Sequence, residues 1–131
     1  MMNKLLFLIS ALLLIACVKT DDTTFSVVCD TKTEWYANIN GMKGEEKSTE
    51  LLTFIFKNKK LEGYTCDIWT PEEIHCSKNF KIDAHTGNQV LNFDRLSGKF
   101  SSHKYENDPK NKTSESKHWN GKCEKVKENK F

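Results

Sequence analysis

Arginine is nearly absent from this sequence: Arg95 is the only one among 20 basic residues, and all the others are lysines. Because the planar guanidinium group binds phosphates and carboxylates through two hydrogen bonds at once, the chain has a single candidate for that kind of recognition. The net charge is only +2. A charge so nearly balanced does not favour binding to a polyanion, so we predict that the protein does not bind nucleic acid.

Motifs for catalysis and metal binding are also missing. The sequence contains no GxSxG, P-loop or dinucleotide-binding pattern, and no CxxC pair. Histidines occur at positions 75, 85, 103 and 118, without the HxxxH or HExxH spacing of a metal site. His75 and Cys76 are neighbours, so on a strand they would point to opposite faces and would not form a base–nucleophile pair. We therefore predict no cofactor, no metal and no enzymatic activity.

Long apolar runs are absent after residue 17, but one short run precedes it. Residues 5–15 are apolar except for Ser10, and they follow the positively charged Lys4. This pattern is typical of a secretory signal, and the run is shorter than the ~20 residues that span a bilayer as a helix. We therefore predict that residues 1–16 are a signal peptide that is removed.

The signal ends in the sequence Leu-Ile-Ala-Cys at residues 14–17, which resembles the lipobox of bacterial lipoproteins. The resemblance implies that Cys17 becomes the N-terminus and carries a thioether-linked diacylglycerol and an amide-linked acyl chain. Because two or three acyl chains hold a protein stably on a bilayer, residues 17–24 are expected to form a lipidated tether in the cell envelope. Val18 stands where an inner-membrane retention Asp would, which favours the periplasmic face of the outer membrane or the cell surface.

The cysteine count supports lipidation over simple secretion with cleavage after Ala16. Simple secretion would leave five thiols, one of them unpaired, in an oxidising compartment. Lipidation of Cys17 leaves an even set for two disulfides, namely Cys29, Cys66, Cys76 and Cys123.

Two arrangements of these disulfides follow from the sequence. If residues 69–73 form a tight hairpin turn, Cys66 and Cys76 face each other across neighbouring strands. Alternatively, Cys29 pairs with Cys66 and Cys76 pairs with Cys123, which closes longer loops and removes more entropy from the unfolded chain. We favour the second arrangement.

After the tether, apolar and polar residues alternate with the period of two that is typical of β-strands. We predict about seven short strands between residues 25 and 124, arranged as an antiparallel meander that forms a barrel or a two-sheet sandwich. No stretch shows the 3.6-residue apolar periodicity of a helix. A solvated tail is expected at residues 125–131.

The first half of this all-β domain contains the strongest local signals. Asn40-Gly41 predicts a turn, and the charged residues 42–48 predict an exposed loop. Residues 51–56 are β-branched and aromatic on both faces, which predicts a central strand covered on both sides. Residues 61–69 predict a further strand, ended by Pro71.

In the second half, residues 79–87 are predicted to be irregular. Residues 90–93 and 99–105 predict a hairpin around the Ser97-Gly98 turn, and residues 106–116 predict a polar loop. A last short strand is expected around residues 119–123.

Arg95 lies in the predicted hairpin turn and has two interpretations. As a binding residue, its guanidinium would meet an anionic group of a partner. As a structural residue, it would bond a neighbouring carboxylate or carbonyl while Asp94 and Ser97 cap the turn. We favour the structural interpretation. The tryptophans at positions 35, 69 and 119 are predicted to be core or rim residues.

Together these features predict a non-catalytic, lipid-anchored protein of the bacterial envelope that acts by binding another envelope protein. In size, anchor and expected architecture, the chain is also similar to the small lipoprotein inhibitors of lysozyme. That similarity implies an alternative function: inhibition of, or immunity against, an enzyme that attacks the envelope.

Overall fold

The computed structural model describes residues 23–126, which fold into eight antiparallel strands without a helix. The strands are β1 (Phe25–Ile39), β2 (Met42–Lys57), β3 (Lys60–Leu61), β4 (Thr65–Trp69), β5 (Glu73–Ile82), β6 (His85–Asp94), β7 (Lys99–Asp108) and β8 (Thr113–Lys125). Among residues 23–126 there is no helical segment of the length and apolarity needed to cross a membrane. The predicted signal peptide, the Cys17 lipidation site, residues 17–22 of the tether and residues 127–131 of the tail lie outside the described residues.

The strands form one sheet in the order β3-β2-β1-β8-β7-β6-β5-β4. Every pair is antiparallel, and the last long strand, β8, returns to pair with β1 from Val27 to Ile39. The sheet therefore curls into a nearly closed barrel, with the short strands β3 and β4 at its two edges. The prediction of an all-β antiparallel meander held by disulfides is confirmed, and the barrel alternative is the one adopted.

One half of the barrel, here called the closed half, is packed with aromatic side chains. The Phe56 side chain is fully buried, and its ring lies 5.1 Å from the Phe25 ring and 5.3 Å from the Phe93 ring. Phe93 is in turn 4.9 Å from Phe100, and Trp69 covers Phe56 at 5.4 Å. These inward positions alternate with exposed ones along each strand, so burial of one face explains why these residues form a sheet here.

The other half, here called the open half, contains the β1–β2, β5–β6 and β7–β8 turns. Strand β3 pairs with β2 only at Phe56 and Lys57, so residues 42–55 of β2 pair with β1 alone. Likewise, beyond Ser77 strand β5 pairs only with β6. The sheet therefore stays open between β2 and β5, and its inner face meets solvent there.

Several local predictions are confirmed. Asn40 and Gly41 form the β1–β2 turn with φ of 53° and 83°. Gly98, with φ of 78°, ends the turn between β6 and β7 and forms the predicted hairpin. The strand predicted at residues 61–69 is divided instead, because Gly63 has a φ of 83° and separates β3 from β4. The sheet thus has eight strands rather than seven.

Four other predictions are wrong. Residues 42–48 lie in β2 rather than in a loop, because the 15-residue β1 provides a partner for each of them. Residues 79–87 belong to the β5–β6 hairpin, and most of residues 106–116 lie in β7 and β8. Residues 51–56 are covered on one face only: Leu51 is 72% exposed and Ile55 is 56% exposed.

The favoured disulfide arrangement is also wrong. Cys29 is bonded to Cys123 and Cys66 to Cys76, with a Cα–Cα distance of 3.9 Å in each pair. The physical reason is register: Cys29 lies directly opposite Cys123 on β1 and β8, and Cys66 directly opposite Cys76 on β4 and β5. The prediction of two disulfides from an even set of four cysteines is confirmed.

Candidate binding face

The outer face of the sheet contains a row of polar side chains that crosses five strands. On β1, Thr31 is buried while the next residue, Lys32, is exposed, so Lys32 points outward. The register places neighbouring members of the row directly opposite each other. From β6 to β2 the row is Asn92, Ser101, Asn120, Lys32 and Thr49.

This row lies in an open groove of about 1040 Å³ on the outer face, here called the outer groove. The groove also borders Ile74, Phe93 and Phe100, whose side chains are buried in the core, and the exposed Leu96 contributes to its rim. A Cβ atom at Gly121 would overlap the carbonyl oxygen of Asp30, so only glycine permits this close approach of β8 to β1. The groove therefore offers mainly hydrogen-bonding and charged groups, with the apolar Leu96 side chain at its rim.

The charges around the outer groove nearly cancel. Lys99 and Lys122 lie opposite each other on β7 and β8, and Asp30 lies opposite Lys122 on β1. Asp94 accepts hydrogen bonds from the backbone N–H groups of Leu96 and Ser97 at 3.0 and 3.1 Å. These hydrogen bonds, with those from Ser97 having the largest effect, hold the Asp94 pKa below its ordinary value. The Asp94 carboxylate is thus engaged in the turn.

The next row on the same face contains two stacked histidines. The rings of His103 on β7 and His118 on β8 lie 4.2 Å apart and only 12° from parallel. Glu34 lies opposite His118 on β1, and Tyr36 donates a hydrogen bond of 2.9 Å to the Glu34 Oε2 atom. Burial, followed by the nearby His118, lowers the pKa of His103. Tyr36 and Tyr105 line a second cavity of about 380 Å³ beside this row.

The inner face of the open half contains hydrogen-bonded charged groups. The Glu50 carboxylate accepts hydrogen bonds from Lys117 Nζ at 2.8 Å and from Trp119 Nε1 at 2.7 Å. Both bonds lower the Glu50 pKa, and the Lys117 bond has the larger effect. Nearby, Gln89 bonds both Tyr64 and Ser102, at 3.1 and 3.2 Å. These groups therefore stabilise one another and hold the inner face in a fixed arrangement.

Arg95 lies at the closed half, outside the histidine row. Its Nη1 atom donates to the Thr70 carbonyl oxygen at 2.8 Å, and its guanidinium lies 5.4 Å from the Phe25 ring and 5.6 Å from the Trp69 ring. These contacts attach the β6–β7 turn to the β4–β5 turn. This is the arrangement that the structural interpretation of Arg95 describes.

The other chemically reactive residues are separated from one another. Among residues 23–126, no three His, Cys, Asp or Glu side chains converge in the way that would hold a metal ion. His75 pairs with Asp67, and this hydrogen bond is the main cause of the lowered Asp67 pKa. Cys76 is buried in a disulfide, so it offers no thiol beside His75.

The rows on the outer face were not found by sequence reasoning. Alternation along one strand indicates which residues share a face, but the rows arise from pairing between strands far apart in the chain. Comparisons with protein-family models, curated proteins and solved structures find no match to this chain.

Proposed function

We propose that this protein is a non-catalytic, lipid-anchored component of the bacterial envelope that binds a protein partner through the outer groove. The observation that carries the proposal is the groove itself, in which amide, hydroxyl and ammonium groups stand in register beside the exposed Leu96 side chain. A typical protein interface makes about ten direct hydrogen bonds, and this row supplies donors and acceptors for such bonds. The balanced charges suit a neutral protein surface better than a polyanion.

The topology supports a favourable orientation for such binding. Strand β1 begins at Phe25 and β8 ends at Lys125, and Phe25 belongs to the closed half. A lipid on Cys17 would therefore attach near the closed half. Because β1 has 15 residues and a strand rises about 3.3 Å per residue, the open half would extend up to about 50 Å further from the anchor. The outer groove, between these ends, would face the space beside the membrane.

A binding role is favoured over catalysis because two carboxylates of the outer face and one of the inner face are hydrogen-bonded within the fold. Asp94 is bonded to the turn at Ser97, Glu34 to Tyr36, and Glu50 to Lys117 and Trp119. A general base must reach the proton that it removes from a substrate. In this structure these three groups are instead hydrogen-bonded to other parts of the fold.

The proposal is tested by photo-crosslinking in the cells that make the protein. A photoreactive amino acid replaces Leu96, which is 77% exposed at the groove, or Ile82, which is 69% exposed at the β5–β6 turn of the open half. We expect one discrete adduct with an envelope protein from position 96 and none from position 82. Equal adducts at both positions, or none at position 96, would contradict binding at the groove.

The anchor is tested separately in the same cells. Cys17→Ser removes the sulfur that would carry the lipid, so the variant is expected to move from the membrane fraction to the soluble fraction. A variant that still sediments with the membranes would contradict the anchor while leaving the groove experiment interpretable.

A second candidate function, inhibition of an envelope-targeting enzyme, is favoured by the β1–β2 turn. Met42 is 77% exposed there, and the Asn40 N–H donates a 3.0 Å hydrogen bond to the Lys112 carbonyl, which holds the turn against the β7–β8 turn. A preformed, protruding apolar tip can enter a cleft with little loss of entropy. A lysozyme assay with peptidoglycan substrate tests this candidate: inhibition lost on Met42→Asp would support it, and unaltered hydrolysis in the presence of the native protein would exclude lysozyme as the target.

A further inference from the structure

We propose that His103 and His118 form a two-imidazole site for a divalent transition-metal cation of the Zn²⁺ or Ni²⁺ type on the outer face of the barrel. Nothing in the proposed protein-binding function requires this site, and it is independent of the outer groove. Neutral imidazole is a preferred ligand of both cations.

The two histidines are brought together by register rather than by sequence. His103 and His118 are directly opposite residues on the neighbouring antiparallel strands β7 and β8. Directly opposite side chains have Cβ atoms about 5 Å apart, a spacing that allows two imidazoles to share one cation at about 2.1 Å from each nitrogen. The rings are stacked 4.2 Å apart, so each must turn about its side-chain bonds to direct a nitrogen to a common point. His103 is exposed, so it can turn without displacing the core.

Glu34 lies in the same row as the pair, although the three side chains do not converge in this structure. Glu34 lies opposite His118 on the third strand of the row, so the order across the sheet is Glu34, His118, His103. In this structure the Glu34 carboxylate accepts the Tyr36 hydroxyl at 2.9 Å, and the Tyr36 ring meets the His118 ring edge-on at 6.3 Å. Rotation of Glu34 away from Tyr36 would add a carboxylate oxygen to the two nitrogens. Water would complete the coordination.

A cation held between the two rings would replace their stacking contact with two metal–nitrogen bonds. The prediction from sequence that no metal binds rested on spacing along the chain, which does not describe pairs formed across strands.

Isothermal titration with Zn²⁺ tests the proposal on the full, untagged chain in detergent. Cys17→Ser is introduced so that residue 17 contributes no thiol, and the other four cysteines are in disulfides. We expect one Zn²⁺ per chain. Because a second ligand at fixed spacing raises affinity by about 100-fold or more, His103→Gln and His118→Gln should each weaken binding by about that factor. Glu34→Gln should weaken it less.

His75→Gln is the matched control, since His75 also lies on a strand beside a carboxylate, Asp67, but has no second imidazole opposite it. Zn²⁺ affinity should be unchanged in this variant. Absence of stoichiometric binding, or equal weakening by His75→Gln and by His103→Gln, would overturn the proposal.

A second measurement needs no substitution of His103 or His118. Paramagnetic Ni²⁺ broadens the NMR signals of the rings that bind it, so the imidazole signals of His103 and His118 should disappear before those of His75 and His85. Broadening that starts at His75 or His85, or that is equal for all four rings, would place the metal elsewhere.

Discussion

The closed and open halves of this barrel are built from the same strands but are held together differently. In the closed half the inward side chains are aromatic or aliphatic, and both disulfides join residues of this cluster. In the open half the inward side chains include Glu50 and Lys117, which are hydrogen-bonded to each other, and Gln89, which donates a hydrogen bond to Ser102. The comparison indicates that stability resides mainly in the closed half, which leaves polar side chains of the remaining sheet available for contacts with other molecules.

Removal of each disulfide should give the largest change in the free energy of unfolding, and it tests this difference between the halves. The Cys29–Cys123 bond joins residues 94 apart, and the Cys66–Cys76 bond joins residues 10 apart. By loop-closure entropy, the double variant Cys29→Ala, Cys123→Ala should lower the free energy of unfolding by about 4.7 kcal/mol, and Cys66→Ala, Cys76→Ala by about 2.7 kcal/mol. Guanidinium unfolding measures both values. A smaller loss for the Cys29–Cys123 pair would contradict the assignment of the long-range bond as the main constraint.

Substitutions at two adjacent residues of β2 allow the packed face to be compared with the solvated face. Phe56 is fully buried in the closed half, whereas Ile55 is 56% exposed on the other face of the same strand. Phe56→Ala should lower the free energy of unfolding by about 4 kcal/mol, since it leaves a cavity among aromatic rings. Ile55→Ala should change it by less than about 1 kcal/mol. Similar losses in urea unfolding for the two variants would show that the packed face does not dominate stability.

Glu50 tests the contribution of the open half. Its pKa is lower in the folded chain than in the unfolded chain, so its stabilisation is fully present above the ordinary Glu pKa of about 4.3 and is lost as the pH falls through the folded value. Glu50→Gln should therefore lower the free energy of unfolding by about 1 kcal/mol at pH 7, and the difference from the native protein should shrink in acid. Unfolding curves between pH 7 and pH 3 measure it.

Glu46→Gln provides the control for that experiment, because Glu46 is an exposed residue of the same strand, β2. Its unfolding free energy should match that of the native protein at every pH. A Glu50 effect that grows as the pH falls would reverse the expected sign and contradict the Lys117 and Trp119 contacts.

The fold class could be predicted because alternation of period two reports on one buried face. The extent of the strands could not be predicted in the same way, and residues 43–47 show why. Lys43, Glu45, Glu46 and Lys47 suggest a loop by charge, but they lie on a strand whose second side is unpaired within residues 23–126. Charged side chains on such an edge discourage pairing with other chains. Charge here reflects protection of an edge rather than the absence of a strand.

The Asn79–Gly87 segment was mispredicted for a different reason. Gly87 suggests irregular structure, but in the sheet it lies opposite Phe80, whose ring covers the position that a side chain at residue 87 would occupy. A glycine beside an aromatic ring on the neighbouring strand is thus compatible with a regular hairpin. The Cys29–Cys123 bond and the Glu34–His118 pair share one further obstacle: both depend on β8 lying beside β1, which no local pattern reveals.

Intact-protein mass spectrometry of the native material tests the central claim, that a lipid-anchored and doubly disulfide-bonded domain acts in the envelope. We predict a chain that begins at Cys17, carries the mass of a diacylglyceryl group and an acyl group, and lacks two hydrogens for each disulfide relative to the reduced form. An unacylated residue 17, or free thiols among the other four cysteines, would contradict the account.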